Sequence, residues 1–142
     1  MTLRDATPED GERIRALLTS NGLPTSDLAS CGAEFIIACQ GTNVIGAGAL
    51  QRFGAAALLR SVAVEPGHRG LGVGRLIVLE LESRASALGV LELVLLTQTA
   101  ESFFACQGYD KSDRASAAQS VQASDEFRVL CAASATCMVK SL

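Results

Sequence analysis

The chain has 142 residues, 49% of them apolar and 19% charged, and its 12 basic and 15 acidic side chains leave a net charge of −3. That composition excludes a disordered chain, and the acidic excess argues against a non-specific nucleic-acid binder, which draws affinity from basic side chains. The length suits one domain over residues 1–142, no apolar run reaches the ~20 residues of a membrane helix, and the opening MTLRDATPED is too polar for a secretory leader. Cys31, Cys39, Cys106, Cys131 and Cys137 form an odd set without a CxxC pair, which reads as a reduced, cytosolic chain with no metal site.

Thr7-Pro8-Glu9-Asp10 starts a helix: a capping residue, a proline at the first position, and two acids at the positive end of the dipole. Ile14, Leu17 and Leu18 share its apolar face, and Asn21-Gly22-Leu23-Pro24 ends it. Three strands follow, Phe35–Cys39, Val44–Phe53 (Gly-rich on one side) and Ala57–Val64, joined by turns at Gly41-Thr42-Asn43 and Gly54, which predicts an antiparallel meander. The period then changes. Ile77, Leu81, Ala85 and Leu88 form a helical stripe, Glu80 and Arg84 an i,i+4 pair, and Gly89 a stop.

Leu91–Leu96 is an apolar run of strand length, so strand, helix and strand form a crossover that makes Ala57–Val64 and Leu91–Leu96 parallel neighbours. A short helix over 100–107 stops at Gly108. Residues 111–124 turn polar and read as a loop with at most one helical turn, and Cys137–Lys140 is the last strand. The fold class is α+β with a mixed sheet.

The segment with the clearest chemistry is Val62-Ala63-Val64-Glu65-Pro66-Gly67-His68-Arg69-Gly70-Leu71-Gly72-Val73-Gly74-Arg75, between the third strand and the long helix. A strand, then glycines, then a helix start presents free backbone N–H groups and the positive end of a dipole to an anion. Glycines let phosphate oxygens approach the backbone, and Arg69 and Arg75 add positive charge. A Walker A loop fails, because Val73-Gly74 stand where Lys-Ser/Thr is required. A dinucleotide fingerprint fails, because position 75 is Arg and the segment follows a meander. Arg-x-x-Gly-x-Gly over Arg69, Gly72 and Gly74 fits. The plain alternative is a Gly-rich connection that binds nothing.

These residues resemble the GNAT superfamily of acyl-CoA-dependent acyltransferases, and the likeness extends from a Leu3-Arg4-Asp5-Ala6 opening strand through Thr97–Tyr109. It implies a mostly antiparallel mixed sheet with a splayed parallel pair and flanking helices. Acetyl-CoA is then the co-substrate and a small-molecule amine the acceptor, with direct transfer between them and no role for nucleic acid or membrane. A homodimer is one assembly open to such a domain. Residues 58–64, 95–100 and the pieces 130–131, 134–135 and 137–138 also look like acetyltransferases of arsenic-resistance operons.

By this resemblance Val62, Ala63 and Val64 pair their backbone with the pantetheine arm, and the loop residues Arg69, Gly70, Leu71, Gly72, Val73, Gly74 and Arg75 hold the pyrophosphate. The Val62 N–H is the oxyanion donor. Phe104 stands where the family places an acid tyrosine, with Tyr109 on the packing position after Gly108, and Thr97 replaces an asparagine that contacts the coenzyme. Cys106 is the candidate stand-in acid, its alternative being a small buried hydrophobe. Arg60 alternates with Val62 and Val64, which predicts that it faces the acceptor and suits a carboxylate or other oxyanion; a solvated edge charge is the alternative. His68 is expected near phosphate, and Cys131 and Cys137 read as packing residues. A coenzyme-binding sensor that has lost turnover is the rival function.

Overall fold

The computed structural model describes residues 1–26, 28, 32–116, 119–124 and 135–142. One seven-stranded sheet is built from β1 (Thr2–Asp5), β2 (Glu34–Gln40), β3 (Asn43–Phe53), β4 (Ala56–Val64), β5 (Glu92–Thr97), β6 (Asp110–Lys111) and β7 (Thr136–Ser141), in the order β1-β2-β3-β4-β5-β7-β6. Every neighbouring pair is antiparallel except β4 with β5. The helices are α1 (Gly11–Ser20), α2 (Val73–Ala87), α3 (Glu101–Cys106) and the single turn α4 (Gln119–Gln122). Residues Cys31 and 130–134, which carry part of the arsenic-operon likeness and Cys131, lie outside the described residues.

α2 covers one face of the sheet, where Ile36, Ala38, Ile45, Leu50, Leu59, Leu93 and Leu95 pack on Val73, Ile77, Val78, Leu81 and Ala85. Two glycines let it come close: a β-carbon on Gly46 would lie 2.9 Å from Ile77 Cδ1, and one on Gly48 would lie 2.6 Å from Ile77 Cγ2. The Gly-rich side of β3 is therefore the seat of α2. Leu88, expected in the stripe, is instead half-exposed, because the helix ends at Ala87 and Leu88 is its C-cap. On the opposite face, Ile14, Leu17 and Leu18 of α1 pack on Ile37, Cys39, Ala47 and Ala63, while Val121 packs on Ala56, Leu58, Val94 and Cys137.

The start of α1 is anchored as its sequence indicates. A 3-10 turn, Pro8–Asp10, precedes it, and the buried Asp10 carboxylate accepts from the Thr7 N–H at 2.8 Å and the Thr7 hydroxyl at 3.0 Å. Arg4 donates to both Asp10 oxygens, at 2.9 and 3.1 Å. These bonds, the guanidinium first, hold the Asp10 pKa far below the ordinary carboxylate value. The sequence gives no sign of β6, a two-residue strand pairing Asp110 with Val139 and Lys111 with Met138 in the span read as loop. Where one helical turn is expected in that span there are two, a 3-10 turn over Arg114–Ser116 and α4. Among the described residues no helix is long and apolar enough to cross a membrane.

Candidate active site

Two features of β4 shape the site. Its parallel pairing with β5 covers Ala56, Ala57 and Leu58, opposite Glu92, Leu93 and Val94, and stops there. Beyond Leu58 the two strands fork. Against β3, the register shifts by one residue: Ala49 faces Arg60, yet Ala47 faces Ala63, so Ser61 and Val62 together oppose Gly48. This is a β-bulge, which takes backbone groups out of the ladder. Ser61 sits in it at φ +57°, the one positive φ outside glycine among the described residues.

The bulge corrects the expected alternation. Ala47 and Ala49 lie on one face, so their partners Ala63 and Arg60 do too, whereas Val62 and Val64 pack on the α2 side. Arg60 therefore does not share a face with Val62 and Val64, because one extra residue inverts the pleat. It is also no solvated edge charge: only 3% of it is exposed, and Nη1 donates to Gln51 Oε1 at 3.1 Å.

Downstream of the fork, Pro66–His68 form a 3-10 turn, and Gly70 and Gly72 adopt φ +79° and +84°. Gly72 is the N-cap of α2. The first helical bond is Leu76 N–H to the Gly72 carbonyl at 3.1 Å, so the N–H groups of Val73, Gly74 and Arg75 precede the ladder and face outward as an anion cradle. A β-carbon on Gly70 or Gly72 would meet nothing within 4 Å, so the space above the loop is open to a ligand. Leu71 is exposed, whereas the Val73 side chain is buried in the core, which leaves only its backbone for a ligand.

The two loop arginines differ. Arg75 is exposed and makes no side-chain hydrogen bond or ion pair with described residues. Arg69 is engaged: Nε donates to the Val64 carbonyl at 3.3 Å and Nη2 to Asn21 Oδ1, which ties the loop to the end of α1. His68 turns toward β2, with Nε2 3.0 Å from Gln40 Oε1 and Nδ1 3.8 Å from Glu65.

Across the fork, Thr97 ends β5 and its hydroxyl accepts from the Ala100 N–H at 3.0 Å, fixing the start of α3. Phe104 is buried in the main core, edge-on to Phe103 (5.0 Å) and Tyr109 (5.7 Å). Phe103 is the residue that reaches the loop, since a β-carbon on Gly74 would lie 3.3 Å from its Cζ. Sequence reading missed Phe103, although the small residue at position 74 is its complement.

Tyr109, expected to pack, is fully buried, and its hydroxyl donates to Glu82 Oε2 at 2.8 Å. Burial and that carboxylate drive its pKa far upward. Lys140 completes the cluster, donating to Glu82 at 3.0 Å and to the Gln107 carbonyl at 2.8 Å. Cys106, read as a stand-in acid or else a small buried hydrophobe, is exposed at the end of α3, because Phe104 takes the core-facing position of that helix, so the buried alternative does not hold. Cys39 and Cys137 are buried, and burial raises the Cys137 pKa. Among the described residues no cluster of His, Cys, Asp or Glu could hold a metal ion.

A family model described as an acetyltransferase (GNAT) domain matches residues 31–111. No curated relative matches the chain. Among solved structures, that of Rv2747 from Mycobacterium tuberculosis in complex with CoA and NLQ superposes with a TM-score of 0.85 at 25% identity, covering 100% of this chain and 99% of the other. N-acetylglutamate synthase from Neisseria gonorrhoeae, complexed with coenzyme A and N-acetyl-glutamate, gives 0.85 at 21% identity; 99% of this chain matches 35% of that one. The PaiA N-acetyltransferase from Thermoplasma acidophilum, in complex with coenzyme A, gives 0.73 at 17% identity, with 99% and 98% covered.

Proposed function

Because the chain belongs to the GNAT acetyltransferase family, and is an acetyl-CoA-dependent N-acetyltransferase on that ground, we propose that its acceptor is a small amine carrying a carboxylate or comparable oxyanion. The observation that carries this reading is Arg60: a guanidinium buried to 3% exposure two positions past the last parallel pair, on the face of β4 away from α2. A guanidinium beside the fork can form charge-assisted hydrogen bonds with an anionic group of an acceptor bound there. N-acetyl-glutamate, present in the Neisseria structure, is an acylated amine of this kind.

Acetyl-CoA, when bound, supplies an activated acyl thioester; the residues placed to hold it lie on one side of the fork. The N–H groups of Val73, Gly74 and Arg75 take the pyrophosphate, with the Arg75 side chain beside them. Gly70 and Gly72 keep that approach open, and Arg69 can exchange Asn21 for a phosphate. The unpaired edge of Val62, Ala63 and Val64 offers backbone groups to the pantetheine. The Val62 N–H, released by the bulge, is the donor for negative charge developing on the acyl oxygen. The amine approaches from the Arg60 face, which favours direct attack. Phe104 keeps the α3 side of the fork apolar, and Cys106 has no part in this reading.

The likeness of residues 58–64 and 95–100 to arsenic-resistance acetyltransferases adds amine-bearing arsenical oxyanions to the acceptors that Arg60 would suit. Release of free coenzyme thiol, followed across a panel of amines with and without an anionic group, tests the reading. Arg60→Gln should raise the acceptor KM by roughly 10- to 150-fold, the equivalent of about 1.5–3 kcal/mol for a hydrogen bond to a charged group, and leave the KM for acetyl-CoA unchanged. Equal use of plain amines, or an indifferent Arg60→Gln variant, would overturn it. Coenzyme binding without turnover on the whole panel would instead favour a sensor.

A further inference from the structure

The fork holds one polar side chain that the preceding reading does not use. Ser61 is nine-tenths buried, and its hydroxyl makes no hydrogen bond in the structure. Its backbone is held at φ +57°, a conformation that is unfavourable for a side-chain-bearing residue and that glycine adopts freely. Strain of this kind persists where the surrounding structure imposes it, and it gathers at functional sites. Ser61 also adjoins Val62 and lies three residues past the last β4–β5 pair. The hydroxyl oxygen is not among the fully enclosed polar atoms, so it is open to the fork. A strained backbone and a hydroxyl free to bond thus meet in one residue at the mouth of the fork, and the strain is offset if that hydroxyl has a ligand.

The other groups that could move a proton nearby are committed or remote. Tyr109 donates to Glu82 inside the core, His68 faces Gln40 and Glu65, Thr97 caps α3, Phe104 has no proton to give, and Cys106 is exposed at the far end of α3. We propose that Ser61 is a catalytic residue: its hydroxyl bonds the coenzyme sulfur and relays to it the proton that the attacking amine gives up. The inference rests on the coenzyme site described above. In the transfer, the nitrogen–carbon bond forms and the carbon–sulfur bond breaks with its electron pair on sulfur. The nitrogen's proton passes to Ser61 Oγ as the Oγ proton passes to sulfur, so Ser61 ends unchanged. A hydroxyl that accepts and donates in one step needs no pKa near neutrality, which fits a fork without a free acid or base of that kind among the described side chains.

Ser61→Gly and Ser61→Ala separate this role from a structural one. Glycine removes the hydroxyl and the strain together, so Ser61→Gly should melt at or above the wild-type temperature and bind CoA with affinity within about threefold. Its kcat should fall roughly 10²-fold, the low end for lost proton-transfer assistance, and its solvent deuterium isotope effect on kcat should change. In the CoA complex, ultraviolet absorbance of the thiolate should show the bound thiol ionising at higher pH in both variants, because a donor that favours the anion is gone. Wild-type kcat and unchanged thiol ionisation in both variants would overturn the proposal while leaving the coenzyme site standing. Failure of the wild-type protein to bind CoA would overturn the coenzyme reading itself, and this inference with it.

Discussion

Replacing Gly48 by alanine tests how α2 presents its N-terminus to the proposed coenzyme site. The added methyl would lie 2.6 Å from Ile77 Cγ2 and 2.9 Å from Leu81 Cδ1, and 3.6 Å from Val62 Cγ2. Ordinary carbon contacts are ~3.5–4.0 Å, so α2 must retreat by about 1 Å or its side chains must leave their rotamers. Both neighbours are fully buried, at 0% and 1% exposure, which leaves them little room to turn. Overpacking of this kind costs about 1–3 kcal/mol. We expect Gly48→Ala to lower the urea midpoint by that equivalent with an unchanged slope, and to weaken CoA binding in calorimetry, because the cradle at residues 73–75 rides on the displaced helix. Ile77→Ala should relieve the clash, so the double variant should be more stable than the sum of the single effects by at least ~0.5 kcal/mol. Wild-type stability in Gly48→Ala would refute the reasoning, as would strict additivity with Ile77→Ala.

Two further outcomes follow from the same geometry. Gly72→Asp should abolish CoA binding in calorimetry while the protein stays folded, since its β-carbon meets open space but its carboxylate would face phosphate; the left-handed backbone adds about 1 kcal/mol of destabilisation. Asp10→Asn should destabilise the fold by about 1–3 kcal/mol near neutral pH. Since the folded pKa of Asp10 lies below its unfolded value, its contribution is complete above the unfolded carboxylate pKa of about 4. The gap between wild type and Asp10→Asn in urea melts should therefore hold at neutral pH and narrow as pH falls below that value.

The meander, the crossover and the loop were legible because each rests on local signals. Gly41, Gly54 and Gly89 adopt the positive φ that their turns or caps require, and the change from strand to helix period at residue 73 marks α2. The bulge was not legible. A glycine at position 61 would have announced a left-handed residue, but a serine inside an apolar strand reads as ordinary extended backbone. From that single hidden residue, alternation sent Arg60 to the wrong face. β6 escaped for a different reason: two residues are too few for any period, and what defines them is pairing with β7, a strand 29 residues further along by the first pair, Asp110 with Val139. Cys106 was misjudged because a six-residue helix buries one narrow face, and Phe104 occupies it.

In the proposed reaction that hidden residue also lets one strand serve two ligands. Without the bulge, strict alternation would place residues 60, 62 and 64 on the same face, so that Arg60 and the side chains bordering the α2 cradle would crowd one side of the sheet. With Ser61 inserted, Val62 and Val64 stay against α2 while Arg60 turns with Ala63 toward the opposite face. In the proposed reaction, coenzyme and acceptor then reach the fork from opposite sides, and the acyl carbon is passed between them without either crossing the other's path. On that proposal, a strand forced by one extra residue to present its two faces out of phase would supply backbone to one substrate and charge to the other within four consecutive positions, 60 to 63. The strain at Ser61 is the local expression of that arrangement; Ser61→Gly should relieve it and spare the fold, while the loss of the hydroxyl costs the proposed reaction its proton relay.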